Sequence, residues 1–329
     1  MKSIQKIGLT ALAGSMIAVS ANAVEMTVAG TAEATYTTNG GSGGTNNTNT
    51  GNPLGLNTFI SFNGSGELDN GNTVSFFSSL TEAGARTSAS LSYDMGDMGT
   101  LILDQSTDAG GISKINNMIP TAWEEADHGS GSGLGDLDLN GSESVIAFNN
   151  TYGGMDVSVE YNPGTDVGTM QGDGGTQGDS VGTAKNISIK GPLGEGMTFG
   201  VGYGDEETNS LDKDGQEWAA YVNYANGPIT VGYGMGDVQD NTALANGEAY
   251  THYGIAFAVN DNISVSLGRD DVDVQKTGGT TVTEESTGLD ASYTMGSASV
   301  RAHIGKTDNY NGSTGDTKEY TEISLILSF

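Results

Sequence analysis

The chain has 329 residues, no cysteine and a formal net charge of −29 at pH 7. This acidic balance excludes nucleic acid as a partner, because phosphate binding needs a basic surface. The lack of cysteine excludes a disulfide framework, a cysteine-ligated metal and thiol chemistry.

The first 23 residues are predicted to be a cleaved signal peptide. Lys2 and Lys6 form a basic segment, residues 7–19 form a short apolar stretch, and Ala21-Asn22-Ala23 is a small-residue cleavage site. The apolar stretch is too short for a membrane-spanning helix, which needs about 20 apolar residues. We therefore expect a single mature domain over residues 24–329, exported across the inner membrane of a bacterium.

The remainder of the sequence alternates between apolar and polar residues, which predicts β-strands with one apolar face. The first strand runs from Val24 to Thr37 and places Glu33 on its polar face. Short turns such as Asp69–Asn72, whose Asn-Gly step suits a hairpin, then alternate with longer polar loops. The pattern predicts about 16 strands, and an even number puts both ends of the domain on the short-turn side.

The longest insertion between predicted strands runs from Ser106 to Glu143, after a strand at Gly99–Gln105 and before one at Ser144–Tyr152. Loops of this length inside a compact domain usually carry function. Residues 120–126 begin with a proline and carry two early glutamates, which predicts a short helix. The apolar residues that would pack this helix are Ile115, Met118, Ile119 and Trp123.

The last predicted strand, Tyr320–Phe329, has apolar residues at nearly every second position and ends on an aromatic residue. As a free edge it would invite aggregation, so another strand must cover it. The first strand is the natural partner, and pairing first with last closes the sheet into a barrel. A closed barrel is the only sheet that can span a lipid bilayer, because its backbone polar groups are all paired internally.

An alternating final strand that ends in Phe329, after a series of short turns and long loops, resembles the pattern of Gram-negative outer-membrane general diffusion porins. The resemblance covers residues 24–329 and implies an all-β fold, a transmembrane antiparallel barrel of about 16 strands in the outer membrane. It also implies that the third loop, 106–143, folds into the barrel and narrows the pore. The implied partners are membrane lipid and lipopolysaccharide, transiting small hydrophilic solutes and cations, and two further copies of the chain in a homotrimer.

Two faces of small residues bear on that assembly. Gly30, Ala32 and Ala34 share one face of the first strand, where close packing between copies would be easy. A second face of small residues consists of Gly200, Gly202 and Gly204. It would suit the same contact between copies, or it would line a crowded lumen.

Five carboxylates of the long loop are candidates for the pore constriction: Glu124, Glu125, Asp127, Asp136 and Asp138. If the apolar residues of the loop pack against the barrel wall, these side chains face the water column. Carboxylates at a constriction favour cations over anions. The alternative is that they lie on a solvated lid outside the barrel.

Basic residues that could oppose these carboxylates are scarce. Strand parity puts Arg86, Arg301 and His303 on the inner face, and we predict that Arg86 and Arg301 contribute to the constriction. Ordinary ion pairs inside a polar lumen would explain the two arginines equally well. The resemblance to porins implies a row of arginines here, so their small number puts a strong field across the pore in doubt.

No cofactor and no enzymatic activity are predicted, because the sequence has no nucleophile–base spacing, no phosphate-binding loop and no metal-ligand spacing among its histidines. The stretch from Asp173 to Asp179 faintly resembles glycine-rich calcium loops. A polar acidic turn explains it better, although carboxylates on external loops could bind Ca²⁺.

The function that the sequence favours is passive diffusion of ions and small hydrophilic solutes through a cation-preferring channel. One alternative is a substrate-specific outer-membrane channel, which would need an aromatic or basic track through the lumen. Another is an acidic surface adhesin or structural barrel, and a third is a soluble secreted β protein.

Overall fold

The computed structural model of the chain describes residues 25–43, 51–81, 84, 86–131, 144–163, 183–207, 214–239, 245–276 and 279–329. Sixteen strands within these ranges form one closed antiparallel barrel, in which every strand pairs with its neighbours in sequence. This confirms the predicted all-β barrel and its strand number. The predicted signal peptide, 1–23, lies outside the described residues.

Numbered in chain order, the strands are β1 (Glu25–Ser42), β2 (Leu54–Glu67), β3 (Thr73–Thr81), β4 (Arg86–Asp94), β5 (Thr100–Gln105), β6 (Ser144–Tyr152), β7 (Met155–Asn162), β8 (Thr183–Gly194), β9 (Met197–Glu207), β10 (Asp214–Asn226), β11 (Ile229–Gln239), β12 (Ala245–Asn260), β13 (Ile263–Lys276), β14 (Thr280–Met295), β15 (Ala298–Asp308) and β16 (Thr317–Ser328). Short 3-10 helices cover Gly96–Met98, Gly111–Ile115 and Tyr310–Gly312. Across the described ranges, no helix has the length and apolar character that a membrane crossing requires.

Pairing between β1 and β16 closes the barrel. The two strands run antiparallel over twelve residue pairs, beginning with Thr31 opposite Ser328. At the end of this seam the Phe329 backbone N–H donates to the Gly30 carbonyl at 2.9 Å, and the Gly30 N–H donates to the Phe329 carbonyl at 3.2 Å. The edge that the last strand would otherwise expose is therefore covered by the first, as predicted.

The two faces of the strands differ in polarity. On β16, Ile323 and Leu325 are 49% and 43% exposed, whereas Glu322 and Ser324 are 7% and 0% exposed. The other strands repeat this alternation, with large apolar side chains on the exposed face and polar side chains on the buried one. An exposed apolar surface that continues around the barrel is the surface that lipid covers in membrane barrels.

Exposed aromatic side chains lie toward both ends of the strands. Tyr152, Tyr224 and Tyr293 come just before short turns, and Tyr161 and Tyr203 lie toward the long-loop ends of β7 and β9. Amphipathic rings at the two membrane–water interfaces form the aromatic girdles of membrane barrels. These rings therefore lie where the two interfaces of a membrane barrel would place them.

Glycines on the inner faces of the strands leave room for the loop between β5 and β6. An ideal Cβ on Gly202 of β9 would lie 2.7 Å from Ile115 Cδ1. One on Gly254 of β12 would lie 2.5 Å from Ile119 Cγ2 and 2.8 Å from the Pro120 carbonyl oxygen. These distances are shorter than van der Waals contact, so a side chain at either position would displace the loop. Of the two interpretations of the β9 glycines, the structure supports the crowded interior.

Replacing Gly254 with valine is expected to unseat the loop and leave the barrel closed. The added methyl groups would overlap Ile119 and Pro120, and overpacking of this kind costs about 1–3 kcal/mol. Trp123 reports the change, because the chain has 2 tryptophans and a Trp218→Phe background leaves only this one. The expected result is a red shift of the Trp123 fluorescence emission.

Ala291→Val is the matched control. Ala291 lies on the exposed face of β14, so a valine there adds similar volume away from the loop. Both variants should keep the heat-modifiable electrophoretic mobility of a closed barrel. An unchanged Trp123 spectrum in Gly254→Val would contradict the packing of the loop on β12.

Candidate functional site

The described part of the third loop, residues 106–131, contacts the buried faces of strands between β6 and β16. Its midpoint is fixed at β10, where the Asn223 side-chain amide donates to the Met118 carbonyl at 2.7 Å. The contacts on either side of this point differ in chemistry. Hydrogen bonds and apolar packing hold the first half of the loop. The second half carries carboxylates and His128, which face carboxylates and histidines of the barrel wall.

Three hydrogen bonds hold the 3-10 turn that begins at Gly111 against β7 and β8. The Gly111 N–H donates to Ser158 Oγ at 2.7 Å, and the Ile112 N–H donates to Asn186 Oδ1 at 3.0 Å. The Ser188 hydroxyl donates to the Gly111 carbonyl at 2.5 Å. Buried backbone groups need partners, and here the polar face of the strands supplies them.

Apolar side chains hold the next part of the loop. Ile112 and Ile115 are buried in one hydrophobic cluster with Tyr221 of β10 and Tyr250 of β12. Two further loop residues predicted to pack, Met118 and Ile119, lie against this cluster. Burial of side chains of this size stabilises a contact by about 1.5–3 kcal/mol each, so the loop is anchored here chiefly by the hydrophobic effect.

Residues 120–126 do not form the predicted helix. The Ala122 N–H donates to Ser266 Oγ at 2.8 Å, and the Glu124 N–H donates to Asp290 Oδ1 at 3.4 Å. In a helix that starts at Pro120 the Glu124 N–H would donate to the Pro120 carbonyl, and here the Asp290 side chain accepts it instead. Nothing in the local sequence indicates these contacts, because both acceptors lie more than 100 residues further along the chain.

Glu124 and His128 join the loop to β16. His128 Nδ1 lies 3.4 Å from Glu124 Oε2, and His128 Nε2 lies 3.1 Å from Glu322 Oε2. The Tyr320 hydroxyl donates to Glu322 at 2.6 Å, and the Tyr320 ring meets the His128 ring edge to face. The imidazole of His128 thus separates two carboxylates that would otherwise repel each other.

A second histidine–carboxylate pair lies behind the first, in the barrel wall. His303 of β15, which faces inward as predicted, places Nδ1 2.8 Å from Asp290 Oδ1, and the two residues are 0% and 2% exposed. The ring centroids of His303 and His128 are 5.4 Å apart. The two pairs therefore form one cluster between the loop and β14–β16.

The structure brings three of the predicted constriction residues together. Glu124, Glu125 and Asp127 line one narrow cavity of about 60 Å³ between the loop and β10–β14. The wall side of this cavity includes His252 and Asp270, whose Nδ1 and Oδ1 atoms are 2.5 Å apart. Carboxylates from the loop and from the wall therefore converge on one space.

The Glu124 carboxyl lies partly buried between the loop and the wall. Burial raises the pKa of Glu124 above the ordinary value of 4.5, His128 lowers it, and the Glu322 and Asp290 carboxylates raise it further. Because the folded protein favours the protonated form, ionised Glu124 costs free energy at neutral pH. That cost disappears as the pH falls through the raised pKa.

Arg86 lies on the exposed face of the barrel, and the prediction that it faces the lumen is wrong. It stands opposite Leu80 on β3, and its guanidinium donates to Gln105 of β5. The cause is a β-bulge, because the register between β3 and β4 shifts after Ser79. One extra residue in a strand moves every following side chain to the other face, and strict alternation cannot anticipate it.

Arg301 faces inward as predicted, opposite Ser292 of β14 and Ser324 of β16. Among the described residues it forms no hydrogen bond or ion pair with the carboxylates of the loop. The structure therefore places Arg301 in the lumen without joining it to the acidic cluster.

Other predicted positions fall outside the described residues. These are Asp136 and Asp138 of the third loop and the calcium-like stretch from Asp173 to Asp179. Within the described ranges, no group of three or more carboxylate or histidine side chains has an arrangement that could hold a metal ion.

Two lysines of the interior were missed by the sequence analysis. Lys114 belongs to the 3-10 turn of the loop, and Lys190 lies on β8 with the parity of the buried residues Asn186 and Ser188. The Lys190 ammonium donates to the Lys114 carbonyl at 3.0 Å. The signal for Lys190 was available in the alternation of β8, whereas nothing local to Lys114 predicted its position.

Solved structures of an outer membrane protein and of two porins share this architecture. OmpT, an outer membrane protein of Vibrio cholerae, superposes with a TM-score of 0.68 at 10% identity over 94% of this chain and 99% of its own. A porin refined at 1.8 Å gives a TM-score of 0.66 at 17% identity over 93% and 100%. An anion-selective porin from Comamonas acidovorans gives 0.65 at 13% identity over 93% and 100%. At these identities the likeness shows the fold alone.

No curated protein matches the chain in sequence. A family model described as Gram-negative porin, however, matches residues 8–322. This match spans almost the whole sequence and coincides with the closed 16-stranded barrel, its apolar outer face and its polar interior. The chain therefore belongs to the Gram-negative porin family, the channel-forming barrels of the outer membrane.

Proposed function

We propose that this porin is a general diffusion channel that prefers cations, and that its third loop narrows the lumen. The observation that carries the proposal is the convergence of Glu124, Glu125 and Asp127 on one cavity at the inner wall. An ion that passes this part of the loop meets the field of these carboxylates, to which Asp270 and Asp290 add because they line the same cavity. Rings of carboxylates favour cations and disfavour anions.

The anchoring of the loop supports the narrowing. Hydrogen bonds at Gly111, Met118 and Ala122 hold successive parts of it to β7, β10 and β13. A segment tied to the inner side of so many strands occupies cross-section that water would otherwise fill. Passive diffusion is the mode of transport that we propose, with no chemical step on the solute.

We also propose that the barrel assembles as a homotrimer in contact with outer-membrane lipid and lipopolysaccharide. One solved form of Vibrio cholerae OmpT, with a TM-score of 0.68, is a trimer. On β1 of this chain, Gly30, Ala32 and Ala34 share the outer face and form a smooth strip beside larger apolar residues of β2 and β16. Small residues allow two membrane-embedded surfaces to approach closely.

Neutralising the three loop carboxylates is expected to weaken cation preference. A unit charge about 4 Å from a passing ion is worth about 1 kcal/mol even at the dielectric constant of water. The triple variant Glu124→Gln, Glu125→Gln, Asp127→Asn should therefore lower the cation-to-anion permeability ratio by about fivefold or more. The measurement is the reversal potential of the reconstituted protein in a planar bilayer under a KCl gradient.

Glu319→Gln is the matched control, because Glu319 is exposed on the outer face of β16. It removes one charge from the same part of the molecule without changing the interior. Equal reversal potentials for the triple variant and the wild type would refute the placement of the filter on the loop.

The pH dependence of selectivity should reveal the raised pKa of Glu124. Its negative charge, and the cation preference that depends on it, should be lost at a pH above the ordinary 4.5 of a glutamate. On acidification, the reversal potential of the wild type should begin to fall at a higher pH than that of Glu124→Gln. The two proteins differ only at Glu124, so the difference between the two curves isolates that carboxyl. Superimposable curves would contradict the assignment.

A bulky residue in the small strip of β1 is expected to break the trimer. Ala32→Phe would hold neighbouring copies apart, although a phenylalanine is well tolerated in lipid. Ala291→Phe places the same ring on the exposed face of β14 and should leave the trimer intact. Native electrophoresis or light scattering in detergent distinguishes the two, and an intact trimer of Ala32→Phe would exclude this strip as the interface.

A further inference from the structure

The part of the lumen on the short-turn side of the loop has a cavity of about 440 Å³. Its lining includes Gly96 and Gly99 of the β4–β5 turn, and Lys114 and Lys190 project into it from the loop and from β8. The volume lies within the range of small-molecule sites, about 300–1,000 Å³. This cavity is separate from the carboxylate-lined cavity at the far half of the loop.

Both lysine side chains line this one cavity although like charges repel. Burial lowers the pKa of Lys114, and the positive charge of Lys190 lowers it further. Lys190 reaches across to the loop, where it donates to the Lys114 carbonyl at 3.0 Å. Two cations held near each other in a cavity are best stabilised by an anion between them.

Carboxylates near the pair do not supply that anion. Asp156 also lines the cavity and stands opposite Lys190 across β7 and β8, but its Oδ1 accepts the Thr151 hydroxyl at 2.7 Å and it forms no ion pair with Lys190. Neither lysine forms an ion pair with a carboxylate of the described residues.

Carboxylates closer to Lys114 are bound to the protein's own donors. Asp104 accepts the Ala109 N–H at 3.1 Å, and Glu160 accepts the Asn186 amide at 3.3 Å. The remaining acid near Lys114 is Asp108, on the loop. The lysines therefore keep ammonium N–H groups directed at the cavity.

We propose that Lys114 and Lys190 form a binding site for a small dianionic oxyanion, carried on a phosphate or on a dicarboxylate, at the short-turn side of the loop. The proposal rests on the proposed channel function, because the anion reaches the cavity through the lumen. Two ammonium groups match two negative charges, and lysine binds phosphate as a point charge. In an interior that is otherwise acidic, this site would retain such solutes transiently during passage.

Inorganic phosphate and succinate are the probes. Each is added to the reconstituted channel in KCl at constant ionic strength, and single-channel conductance is recorded against concentration. The wild type should show a saturable reduction of conductance with one or both probes, and equal additions of chloride should not reproduce it. A saturable effect of phosphate alone or of succinate alone identifies the source of the oxyanion, and either supports the site.

Lys114→Gln is the informative variant, because the bond from Lys190 ends on the backbone carbonyl and survives the substitution. We expect its half-saturating concentration to rise by about tenfold, the loss associated with one charged hydrogen bond. Lys190→Arg keeps both the charge and a donor, and should stay within about threefold of the wild type. Lys185→Gln, on the exposed face of the same strand, is the matched control and should bind like the wild type.

The Trp123 emission separates a lost site from an unseated loop, since a merely structural role of Lys114 would shift that spectrum. Two results would overturn the proposal: no saturable effect of either probe on a conducting wild-type channel, or wild-type affinity in Lys114→Gln. A channel that conducts KCl without cation preference would instead contradict the proposed function. The saturable effect of phosphate or succinate on its conductance would still test the lysine site.

Discussion

Every backbone N–H and C=O group in the hydrocarbon layer of a membrane needs a partner inside the protein, and the seam between β1 and β16 completes that pairing here. The outer face is then free to be apolar, because no polar backbone edge interrupts it. The inner face is free to be polar, because it contacts water and the loop. The different surroundings of Ile323 and Glu322, neighbours on one strand, follow from closure.

Glycines of the strands, which lack side chains, shape the interior as much as the inward-facing side chains do. Gly202, Gly254 and Gly288 leave hollows that the loop fills with Ile115, Ile119 and Ala126. Between the hollows, serine and asparagine side chains bind the loop backbone, so the loop needs no regular structure of its own. The result is a charged segment whose position on the wall is fixed by packing and by hydrogen bonds.

The barrel could be predicted from the sequence because alternation and turn chemistry are local signals. The site was only partly predictable. Glu124, Glu125 and Asp127 were found as an acidic group after a proline, but the failure of the helix depended on Ser266 and Asp290, which only the fold brings near. Arg86 was misplaced by a bulge that leaves no mark in the sequence, and Lys114 acquires its role solely through Lys190.

The span of the loop contacts has a consequence for the order of assembly. His128 binds Glu322 of β16, 194 positions later in the chain, and Ser130 accepts the Thr307 hydroxyl of β15, 177 positions later. Contacts this distant in sequence form late, because the intervening chain must first be ordered. The end of the loop cannot settle until the last two strands have joined the sheet. A loop that makes these two contacts therefore indicates that the barrel is complete, and a barrel without its last two strands would lack them.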